Sequence, residues 1–426
     1  MSKWARKKLG DLIDIKHGYA FKGIYFHQVP PGDFLVTPGN FAIHGGFQWN
    51  KKKYYRNGPV PDEYILKPGE LLVTMTDLSK DSDTLGYSAV VPQSENRLLH
   101  NQRIGKVVLK SESVNLDFLH WLMRSPDYRN EILSSCTGST VKHTSPKKIL
   151  AYHFECPSLK EQKKIANFLS ILEYGIELNR RMNETLEAMA RAIFKDWFID
   201  FGPTRAKAKG RIPYLPPDLW NLFPSTLDNH GKPSVWKRGI LADIAESPRR
   251  SINPTDVSGD TPYIGLEHMP RKSIALSNWE NAAKISSNKT QFNKGDILFG
   301  KLRPYFHKVG VAPVDGICST DIVVAVPRSE HWAAFTLACL SSDELVDYAS
   351  RTSTGTRMPR TSWKTMAQYE ICLPSKQIAL AFQDLVQSIL DKINSNIHNT
   401  SSLEETRDLL LPRLMSGQIQ LQSSKR

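Results

Sequence analysis

Two stretches of the chain repeat an apolar position every seven residues, with one asparagine in each. The repeated positions are Ile165, Leu172, Asn179, Leu186 and Ile193, and then Phe382, Ile389, Asn396, Leu403 and Leu410. A repeat of this length predicts helices that pair along a coiled-coil seam, where a buried asparagine fixes the register. Because the asparagine falls at the same turn of both stretches, we favour paired helices over two unrelated amphipathic helices, each packed on its own domain.

Proline and glycine mark where both predicted helices begin and end. Pro157-Ser158 and Pro374-Ser375 precede them. The first helix is predicted to run to about Phe198, before Gly202-Pro203, and the second to be interrupted or ended near Pro412 and Gly417. About 40 residues at a rise of 1.5 Å give a rod on the order of 60 Å long.

Short β-like apolar runs precede each long helix. They are Leu71–Met75, Ser88–Val91 and Ile104–Leu109 in the first half, and Asp296–Phe299, Gly310–Ala312 and Ile322–Val326 in the second. Helical patches follow at Leu116–Arg124 and Trp332–Ser341. This pattern predicts the α+β fold class, with twisted and mostly antiparallel sheets in each half.

The two halves of the chain resemble each other throughout. Trp4 matches Trp236 within similar nonapeptides, Gly69-Glu70-Leu71-Leu72 matches Gly295-Asp296-Ile297-Leu298, and Thr137-Gly138-Ser139 matches Thr354-Gly355-Thr356. The numbering offset falls from 232 to 226 to 217, as expected for two copies of one fold with different loop lengths. We predict a first domain over 1–156, a helix over 157–201, a linker over 202–235, a second domain over 236–373 and a helix over 374–426.

The predicted linker is rich in proline and begins with basic residues. Five prolines follow the segment Arg205–Arg211, at Pro213, Pro216, Pro217, Pro224 and Pro233. This density predicts that the linker has no regular structure. Its basic start is equally compatible with phosphate contacts and with a solvated linker.

The charge of the chain favours a polyanionic partner. The formal net charge is +13 and the isoelectric point is near 9.3. Such a surplus favours nucleic acid, because neutralised phosphates release counterions, although a plain basic enzyme remains the alternative.

Four basic segments are the candidate DNA contacts, and two of them lie at repeat-equivalent positions. Each alone is compatible with a solvated loop, but together they predict a DNA-binding surface. The candidate residues are Lys51, Lys52, Lys53, Tyr54; Thr137, Ser139, Lys142, His143, Lys147, Lys148; Lys301, Arg303, Tyr305, His307, Lys308; and Thr356, Arg357, Arg360, Lys364.

We expect different roles for arginine and lysine within these segments. Arg303, Arg357 and Arg360 are the candidates for base-edge contacts, because arginine can bond guanine through two parallel hydrogen bonds. The lysines Lys142, Lys147 and Lys364 are candidates for phosphate contacts.

No catalytic or metal-binding residues are predicted. The chain lacks a GxxxxGK[ST] phosphate loop, a GxGxxG fingerprint and an HExxH motif, and Asn253-Pro254 is interpreted as a turn. A nuclease-like set could be assembled from Asp62, Glu63 and Lys67, but such sets arise by chance. The five cysteines are widely spaced and no apolar run follows the basic N-terminus, so we expect a reducing cytoplasm and neither a secretory signal nor a membrane span.

These motifs, twice in the same order, resemble the specificity subunit of a bacterial type I restriction-modification system. The resemblance covers nearly the whole chain. It includes Trp-x-x-x-x-Leu-Gly-Asp-Leu from Trp4, the strand from Gly69, the loop from Thr137, Glu161-Gln162 in the first helix, and Ala192–Phe201 at its end.

The resemblance implies two target-recognition domains that read the halves of a split, asymmetric DNA site. The helices would form an antiparallel coiled coil that sets the gap between the half-sites. Two methyltransferase subunits, which bind S-adenosylmethionine, and motor-endonuclease subunits, which use ATP and Mg²⁺, would be the partners. The chain itself would bind and scaffold without a cofactor, and a DNA-modifying enzyme with an unrecognised site is the alternative.

The second half departs from the family pattern at the start of its long helix. Lys376-Gln377 stands where the first half has Glu161-Gln162, and aligning the glutamines requires an offset of 215 instead of 217. We therefore expect the first turn of the second helix to dock its partner differently.

Overall fold

The computed structural model describes residues 4–49, 52–77, 79 and 82–421, which form two compact units. Unit 1 comprises residues 1–174 and 403–426, and unit 2 comprises residues 175–402. Each unit combines sheets, short helices and parts of two long helices, so the predicted α+β fold class is confirmed. Among the described residues, no helix has both the length and the apolar character needed to cross a membrane.

Unit 1 contains all three strands predicted for the first domain, and its predicted helical patch is also confirmed. Its short helices are α1 Leu9–Leu12, α2 Leu116–Leu122, α3 Pro126–Ser135 and α4 Pro146–Leu150. Its strands are β1 Ala5–Lys8, β2 Ile13–His17, β3 Phe26–His27, β4 Asp33–Val36, β5 Tyr54–Tyr55, β6 Ile65–Leu66, β7 Leu71–Thr74, β8 Thr76–Asp77, β9 Ser88–Val90, β10 Leu98–His100, β11 Ile104–Leu109, β12 Lys142–His143 and β13 His153–Cys156.

Two sheets form the core of unit 1. The strand orders are β3-β5-β4-β10-β6 and β2-β11-β7-β9, and β4–β10 is a parallel pair in an otherwise antiparallel arrangement. Alternate residues of β7 face opposite sides, as a pleated strand requires. Leu71 and Val73 pack with Phe118 of α2, whereas Leu72 packs with Phe34 of the five-stranded sheet. The four-stranded sheet is therefore buried on both faces.

The first long helix, α5, spans Leu159–Phe194 and continues as a π-helical turn, Lys195–Ile199. Two short helices follow in the proline-rich segment, α6 Gly202–Ala208 and α7 Pro217–Leu222. The prediction that residues 202–235 lack regular structure is therefore wrong. Proline is tolerated in the first turn of a helix, where its missing N–H has no helical partner, and Pro203 and Pro217 occupy such positions.

The segment 202–235 is packed on unit 2. Trp220 and Phe223 are buried, and the ring centroids of Phe223 and Trp197 are 5.0 Å apart. Lys207 Nζ donates to the carbonyl oxygen of Phe223 at 2.6 Å, and Arg205 Nε donates to the carbonyl oxygen of Asp200 at 2.7 Å. These two basic side chains bond to the protein backbone.

Unit 2 also contains the predicted strands and helical patch of the second domain. Its remaining short helices are α8 Ala333–Leu340, α9 Asp343–Arg351 and α10 Trp363–Met366, and the second long helix is α11 Lys376–Met415. Its strands are β14 Lys237–Ile240, β15 Ala245–Glu246, β16 Ser251–Ile252, β17 Pro262–Ile264, β18 Glu280–Asn281, β19 Lys289–Phe292, β20 Ile297–Gly300, β21 Val309–Val311, β22 Gly316–Cys318, β23 Ile322–Pro327 and β24 Glu370–Leu373.

The sheets of unit 2 repeat those of unit 1. The order β15-β23-β20-β21 corresponds to β2-β11-β7-β9, and β18-β17-β22-β19 corresponds to β5-β4-β10-β6 with the same parallel pair at its centre. An additional edge strand differs, since β3 lies beside β5 whereas β16 lies beside β19. In both units the first strand pairs antiparallel with the strand before the long helix, β1 with β13 and β14 with β24. The predicted pseudo-symmetry is confirmed.

The two long helices contact each other in both units, and the contacts of unit 2 show that they run antiparallel. In unit 2, Asn396 Nδ2 of α11 donates to Asn183 Oδ1 of α5 at 2.8 Å, and the ring centroids of Phe194 and Phe382 are 6.0 Å apart. In unit 1, Arg407 Nη1 of α11 donates to Glu173 Oε2 of α5 at 2.8 Å. Rising residue numbers on α5 meet falling numbers on α11, so the predicted antiparallel pairing is confirmed.

The predicted repeat captures one of the two residue positions per heptad that face the partner helix. Its buried members are Ile165, Asn179, Phe382, Ile389 and Asn396, and its half-buried members are Leu172, Leu186, Ile193, Leu403 and Leu410. The other seam position is buried at every member and is more polar. Its members are Leu169, Ile176, Asn183 and Ala190 on α5, and Val386, Ile393, Thr400 and Arg407 on α11.

A buried glutamine connects each long helix to its domain through hydrogen bonds. Gln162 of α5 accepts a hydrogen bond from the backbone N–H of Asn115, which caps α2, and donates to the carbonyl oxygen of Ser113. Gln383 of α11 accepts from the backbone N–H of Ala334 in the first turn of α8. Gln377 is exposed. The second long helix therefore contacts its own domain through a different glutamine, Gln383.

Unit 1 carries a buried charged cluster that unit 2 lacks. Arg124 and Arg407 both donate to Glu173, at 3.4 and 2.8 Å, and the Arg124 guanidinium lies 4.3 Å from the centre of the Trp121 ring. The positions equivalent to Trp121, Arg124 and Arg407 are Ala338, Ser341 and Ala190. These smaller residues line a cavity of about 330 Å³ in unit 2.

Candidate nucleic-acid interface

A seven-residue loop closes in the same way in both units. In unit 1, Thr137 and His143 exchange backbone hydrogen bonds of 3.0 and 2.8 Å, and in unit 2, Thr354 and Arg360 exchange bonds of 3.0 and 2.9 Å. The second residue of each loop is a glycine with positive φ, 99° at Gly138 and 96° at Gly355. Glycine adopts this conformation without steric cost, so both loops can turn tightly and project their middle residues.

Both loops lie against the backbone that follows an inner strand of the four-stranded sheet. Thr144 N–H donates to the carbonyl oxygen of Met75 after β7, and Thr361 N–H donates to that of Lys301 after β20, both at 3.0 Å. The inner strand and the loop thereby bring together residues that are distant in sequence. In unit 2 they place the predicted residues of 301–308 beside those of 356–364.

Arg303 occupies a strained position beside the closed loop of unit 2. It adopts a left-handed conformation with φ of 51°, and its N–H donates to the carbonyl oxygen of Pro359 at 2.7 Å. Its Nη2 donates to the carbonyl oxygen of Arg357 at 3.5 Å, while its buried Nε has no acceptor among the described residues. Non-glycine residues in this conformation concentrate at functional sites.

The loop of unit 2 exposes three of the predicted contact residues, Thr356, Arg357 and Arg360, and Lys364 is exposed on α10. Arg360 is held by Asp321, with Nε donating to Oδ1 at 3.0 Å and Nη2 donating to Oδ2 at 3.3 Å. The hydrogen bond and the charge of Asp321 raise the pKa of Arg360 above its ordinary value. The exposed positive groups fit a polyanionic partner.

A basic cleft of about 510 Å³ lies next to this loop in unit 2. Lys301, Arg249 and Arg250 line it together with hydroxyl side chains, and no carboxylate is among its described lining residues. The hydroxyl groups belong to Ser247, Ser251, Thr290, Thr320, Thr361 and Ser362. Cations beside hydroxyl donors are the groups that bind phosphate oxygens.

Sequence reasoning missed the two arginines of the cleft. Arg249 is exposed, whereas Arg250 Nη1 donates to Asp296 Oδ2 at 2.6 Å. The adjacent pair Arg249-Arg250 follows the second tryptophan repeat, and its charge is a signal that could have been used.

The 301–308 segment divides into exposed and structural residues. Tyr305 is 53% exposed, whereas His307 is buried and its Nε2 lies 2.8 Å from the carbonyl oxygen of Ser341. Its Nδ1 lies 3.3 Å from Asp343. Lys308 donates to the carbonyl oxygen of Leu266. The burial of His307 and the bonds of its ring within the protein do not favour a DNA contact by this side chain.

Unit 1 presents a smaller basic surface at the equivalent loop. Thr137, Ser139, His143 and Lys147 are exposed and Lys142 is half-buried. His143 Nδ1 lies 3.1 Å from Thr76 Oγ1. The predicted contact Lys148 instead donates to the carbonyl oxygen of Ser135. The exposed candidates therefore lie on the loop and, for Lys147, on the adjacent helix α4.

The fourth predicted segment contributes less than its sequence suggests. Lys51 lies outside the described residues, Lys52 is exposed, and Lys53 Nζ lies 4.9 Å from the centre of the Phe26 ring. Tyr54 is buried in the core of unit 1, with its ring 5.9 Å from that of Phe34. The burial of Tyr54 does not favour a DNA contact by this side chain, because its strand pairs within the five-stranded sheet.

Two residues near the unit 1 loop were also missed. Arg103 is exposed at the start of β11, and the carbonyl oxygen of this residue accepts the N–H of Met75 at 3.0 Å. Asp77 is buried and accepts hydrogen bonds from Ser79 and Thr84. Burial raises the pKa of Asp77, but these bonds outweigh it and leave the pKa below its ordinary value. Asp77 thus holds Ser79 and Thr84, while the exposed side chain of Arg103 has no hydrogen-bond partner among the described residues.

Titratable groups elsewhere do not assemble a metal site in the described residues. Within this part of the chain, no three His, Cys, Asp or Glu side chains are grouped closely enough to hold a metal ion. The nuclease-like set named from the sequence, Asp62, Glu63 and Lys67, lies on and beside a surface 3-10 turn, Asp62–Tyr64.

Comparison with known proteins identifies the family to which this chain belongs. The model of the type I restriction modification DNA specificity domain matches residues 1–188 and 233–406, which include both units' loops and sheets. This chain belongs to that family.

Named relatives extend the match over the chain. The type I restriction enzyme HindI specificity subunit of Haemophilus influenzae is 26% identical and covers 98% of this chain and all of its own length. The EcoBI specificity subunit of Escherichia coli is 30% identical, over 76% of this chain and 64% of its own. The S subunit of M. genitalium has a similar fold, with a TM-score of 0.58 at 15% identity, covering 97% of this chain and 96% of its own.

Family membership gives the repeated loop a context. A DNA specificity domain must distinguish bases, and the two loops offer different side chains on one backbone frame. His143 stands in one specificity unit where Arg360 stands in the other.

Proposed function

We propose that this chain provides DNA recognition for a type I restriction-modification complex, with each unit recognising one half of a split, asymmetric site. The repeated loop is the observation that carries the proposal. Thr137–His143 and Thr354–Arg360 close with the same backbone bonds and differ in the side chains they expose. A constant frame with variable loops suits a protein in which two half-sites differ.

Charge and hydroxyl groups supply the affinity of this interface. Lys301, Arg249 and the hydroxyl side chains of the unit 2 cleft suit the phosphate backbone, which fixes position without reading sequence. Arg303, Arg357 and Arg360 suit base edges, as the sequence analysis expects.

We further propose that the chain binds and scaffolds, while catalysis belongs to its partners. Two pseudo-symmetric copies in one chain can organise two identical proteins, as an isologous dimer would. The expected partners are two methyltransferase subunits and the motor-endonuclease subunits of the same system, in the cytoplasm. S-adenosylmethionine, ATP and Mg²⁺ are expected on those partners.

Selection from a randomised DNA library by the complex with its methyltransferase subunits tests the proposal. We expect two conserved half-sequences separated by an unspecified gap, and an affinity that falls steeply with salt. Arg357→Ala should relax one base pair of one half-site by about 1–3 kcal/mol. If the complex binds all sequences of the library equally well, the proposal is contradicted.

A separate assay tests the absence of catalysis. The purified chain alone, incubated with DNA, S-adenosylmethionine and Mg²⁺, should neither methylate nor cut. Turnover that persists in the chain without partners would favour the alternative, a DNA-modifying enzyme.

A further inference from the structure

The guanidinium of Arg360 is held along one side by a carboxylate and is free along another. Nε and Nη2 donate to the two oxygens of Asp321, at 3.0 and 3.3 Å. This pairing leaves Nη1 and the outer hydrogen of Nη2 without a partner in the described part of the chain. The Arg360 side chain is 47% exposed and that of Asp321 is 27% exposed. The free edge is therefore accessible to a ligand.

The free edge has the geometry of one particular base contact. Two parallel N–H groups of arginine match the O6 and N7 acceptors that guanine presents in the major groove. An arginine whose side chain is already fixed loses less conformational entropy on binding than a mobile one. We propose that Asp321 is a positioning residue, which presents Arg360 to a guanine in the half-site bound by unit 2.

The backbone around this pair is ordered by the sheet. Asp321 lies immediately before β23, where its N–H donates to Ser319 Oγ at 3.2 Å and its carbonyl oxygen accepts the N–H of Lys301 at 2.9 Å. Arg360 ends the closed loop, paired with Thr354 and bridged to Leu302. Both partners are thus fixed at their backbones, so the direction of the guanidinium is set by the fold.

Phosphate-binding groups lie directly beside the pair. Thr320 precedes Asp321 and Thr361 follows Arg360, and both line the basic cleft that also contains Lys301 and Arg249. A DNA backbone held in that cleft would place the adjacent bases near Arg360. The residues of the cleft would then position the DNA through its phosphates, and the neighbouring Arg360 would distinguish the base.

Unit 1 has different chemistry at the same two places. Arg103 corresponds to Asp321, because each carbonyl accepts the equivalent N–H, of Met75 and Lys301 respectively. His143 corresponds to Arg360 in the closed loop. An arginine held by an aspartate is therefore specific to unit 2, and its loss should change one half-site.

This inference rests on the proposed function, and its test separates the two. Library selection is performed with complexes, each containing methyltransferase subunits, that carry the wild-type chain, Arg360→Ala, Arg360→Lys or Asp321→Asn. We expect both Arg360 variants to lower the preference for guanine at one base pair of one half-site by about 10- to 100-fold. Asp321→Asn should relax the same base pair, by a smaller factor, and leave the other half-site unchanged.

Two further measurements distinguish a specific role of Arg360 and Asp321 in base recognition from a general effect on the structure of unit 2. Replacing the selected guanine by 7-deazaguanine removes the N7 acceptor, so it should weaken the wild-type complex and leave Arg360→Ala unaffected. Arg328 and Glu246 form a matched exposed pair in unit 2, at 2.8 Å, and Glu246 pairs with Val326 near the end of β23, whereas Asp321 precedes its start. Arg328→Ala and Glu246→Gln should change no base preference.

The outcomes decide between the claims. A wild-type complex that selects no sequence refutes the proposed function itself. A wild-type complex that selects a split site, with unchanged base preferences in the Arg360 and Asp321 variants, refutes only the role of this pair. Equal weakening on all sequences would make Arg360 a phosphate contact and also overturn the inference. Arg360→Lys retains the charge, so a structural failure of Arg360→Ala does not leave the question open.

Discussion

Asn396 and Asn183 form a hydrogen bond of 2.8 Å between the paired long helices of unit 2, and both side chains are buried. The heptad repeat places Asn396 at the position equivalent to Asn179. In the antiparallel pair, however, Asn396 meets Asn183, and Asn179 Nδ2 is left without a partner among the described residues. A buried polar pair of this kind fixes the register of two helices, because a shift would leave both amides unsatisfied.

Replacing one member of the asparagine pair should cost more than replacing both. Asn396→Leu leaves the buried amide of Asn183 unpaired and should lower the free energy of unfolding by about 1–3 kcal/mol. The double variant Asn183→Leu and Asn396→Leu should recover most of that loss. Urea unfolding of the three chains measures the difference, and a double variant as unstable as the sum of both single variants would refute the pairing.

Gln162 should matter far more than the family-aligned Gln377. Gln162 is fully buried and bonds Asn115, Ser113 and Pro157. Gln162→Leu should cost about 1–3 kcal/mol of stability, because it leaves buried backbone groups unpaired. Gln377→Leu, at an exposed position, should change stability by less than about 0.5 kcal/mol. Equal effects in thermal unfolding would contradict the docking role of Gln162.

Glu173 should be required for the charged cluster of unit 1. Glu173→Gln leaves Arg124 and Arg407, both nearly buried, without the carboxylate they share. The loss should lie between the about 1 kcal/mol of a surface pair and the about 3–5 kcal/mol of a buried one. Glu177→Gln, which breaks the exposed pair with Arg181, is the control and should be nearly neutral. Denaturant midpoints that do not distinguish the two variants would show that the cluster contributes nothing.

Acid should destabilise unit 1 through His100. Burial lowers the pKa of His100 to about 4, below the unfolded value of about 6.5. The folded state therefore binds fewer protons, and the stability present above pH 6.5 is lost as the pH falls towards 4. Between pH 7 and pH 5 the loss should be about 2 kcal/mol.

Amide hydrogen exchange in unit 1, measured at both pH values, tests this sensitivity. His100→Gln should reduce the difference between pH 7 and pH 5, and His120 should account for part of the remainder, because burial also lowers the pKa of this unit 1 histidine. The equivalent position in unit 2, at the end of β22, is Cys318, so exchange there serves as the internal reference. An unchanged pH dependence in His100→Gln would show that other groups are responsible.

The parts of the fold that could be predicted from the sequence are those marked by a regular pattern of apolar residues. Leu71–Thr74 and Ile297–Gly300 alternate between two buried faces, so their strand character survives in the residue types. The second seam position of the helices was missed, because Asn183, Thr400 and Arg407 interrupt its apolar character. The helices at Gly202–Ala208 and Pro217–Leu222 were missed because proline counted against them, although proline at a helix start is compatible with the fold.

The candidate interface was only partly accessible from the sequence. Basic residue types identify the loops, but exposure depends on tertiary packing, which buries Tyr54 and His307 and leaves Arg357 free. The correspondence of Arg103 with Asp321 was missed, because these residues lie between motifs, where the numbering offset between the two halves changes. It becomes visible through the equivalent backbone bonds to Met75 and Lys301.

Methylome sequencing tests the central claim most directly, in cells that carry this chain with its own methyltransferase partners. The account predicts methylated adenines within a motif of two half-sequences separated by an unspecified gap. It also predicts that Arg357→Ala in unit 2 alters one half-sequence and leaves the other intact. A single continuous motif, or a change in both halves from this one substitution, would contradict recognition by two separate units.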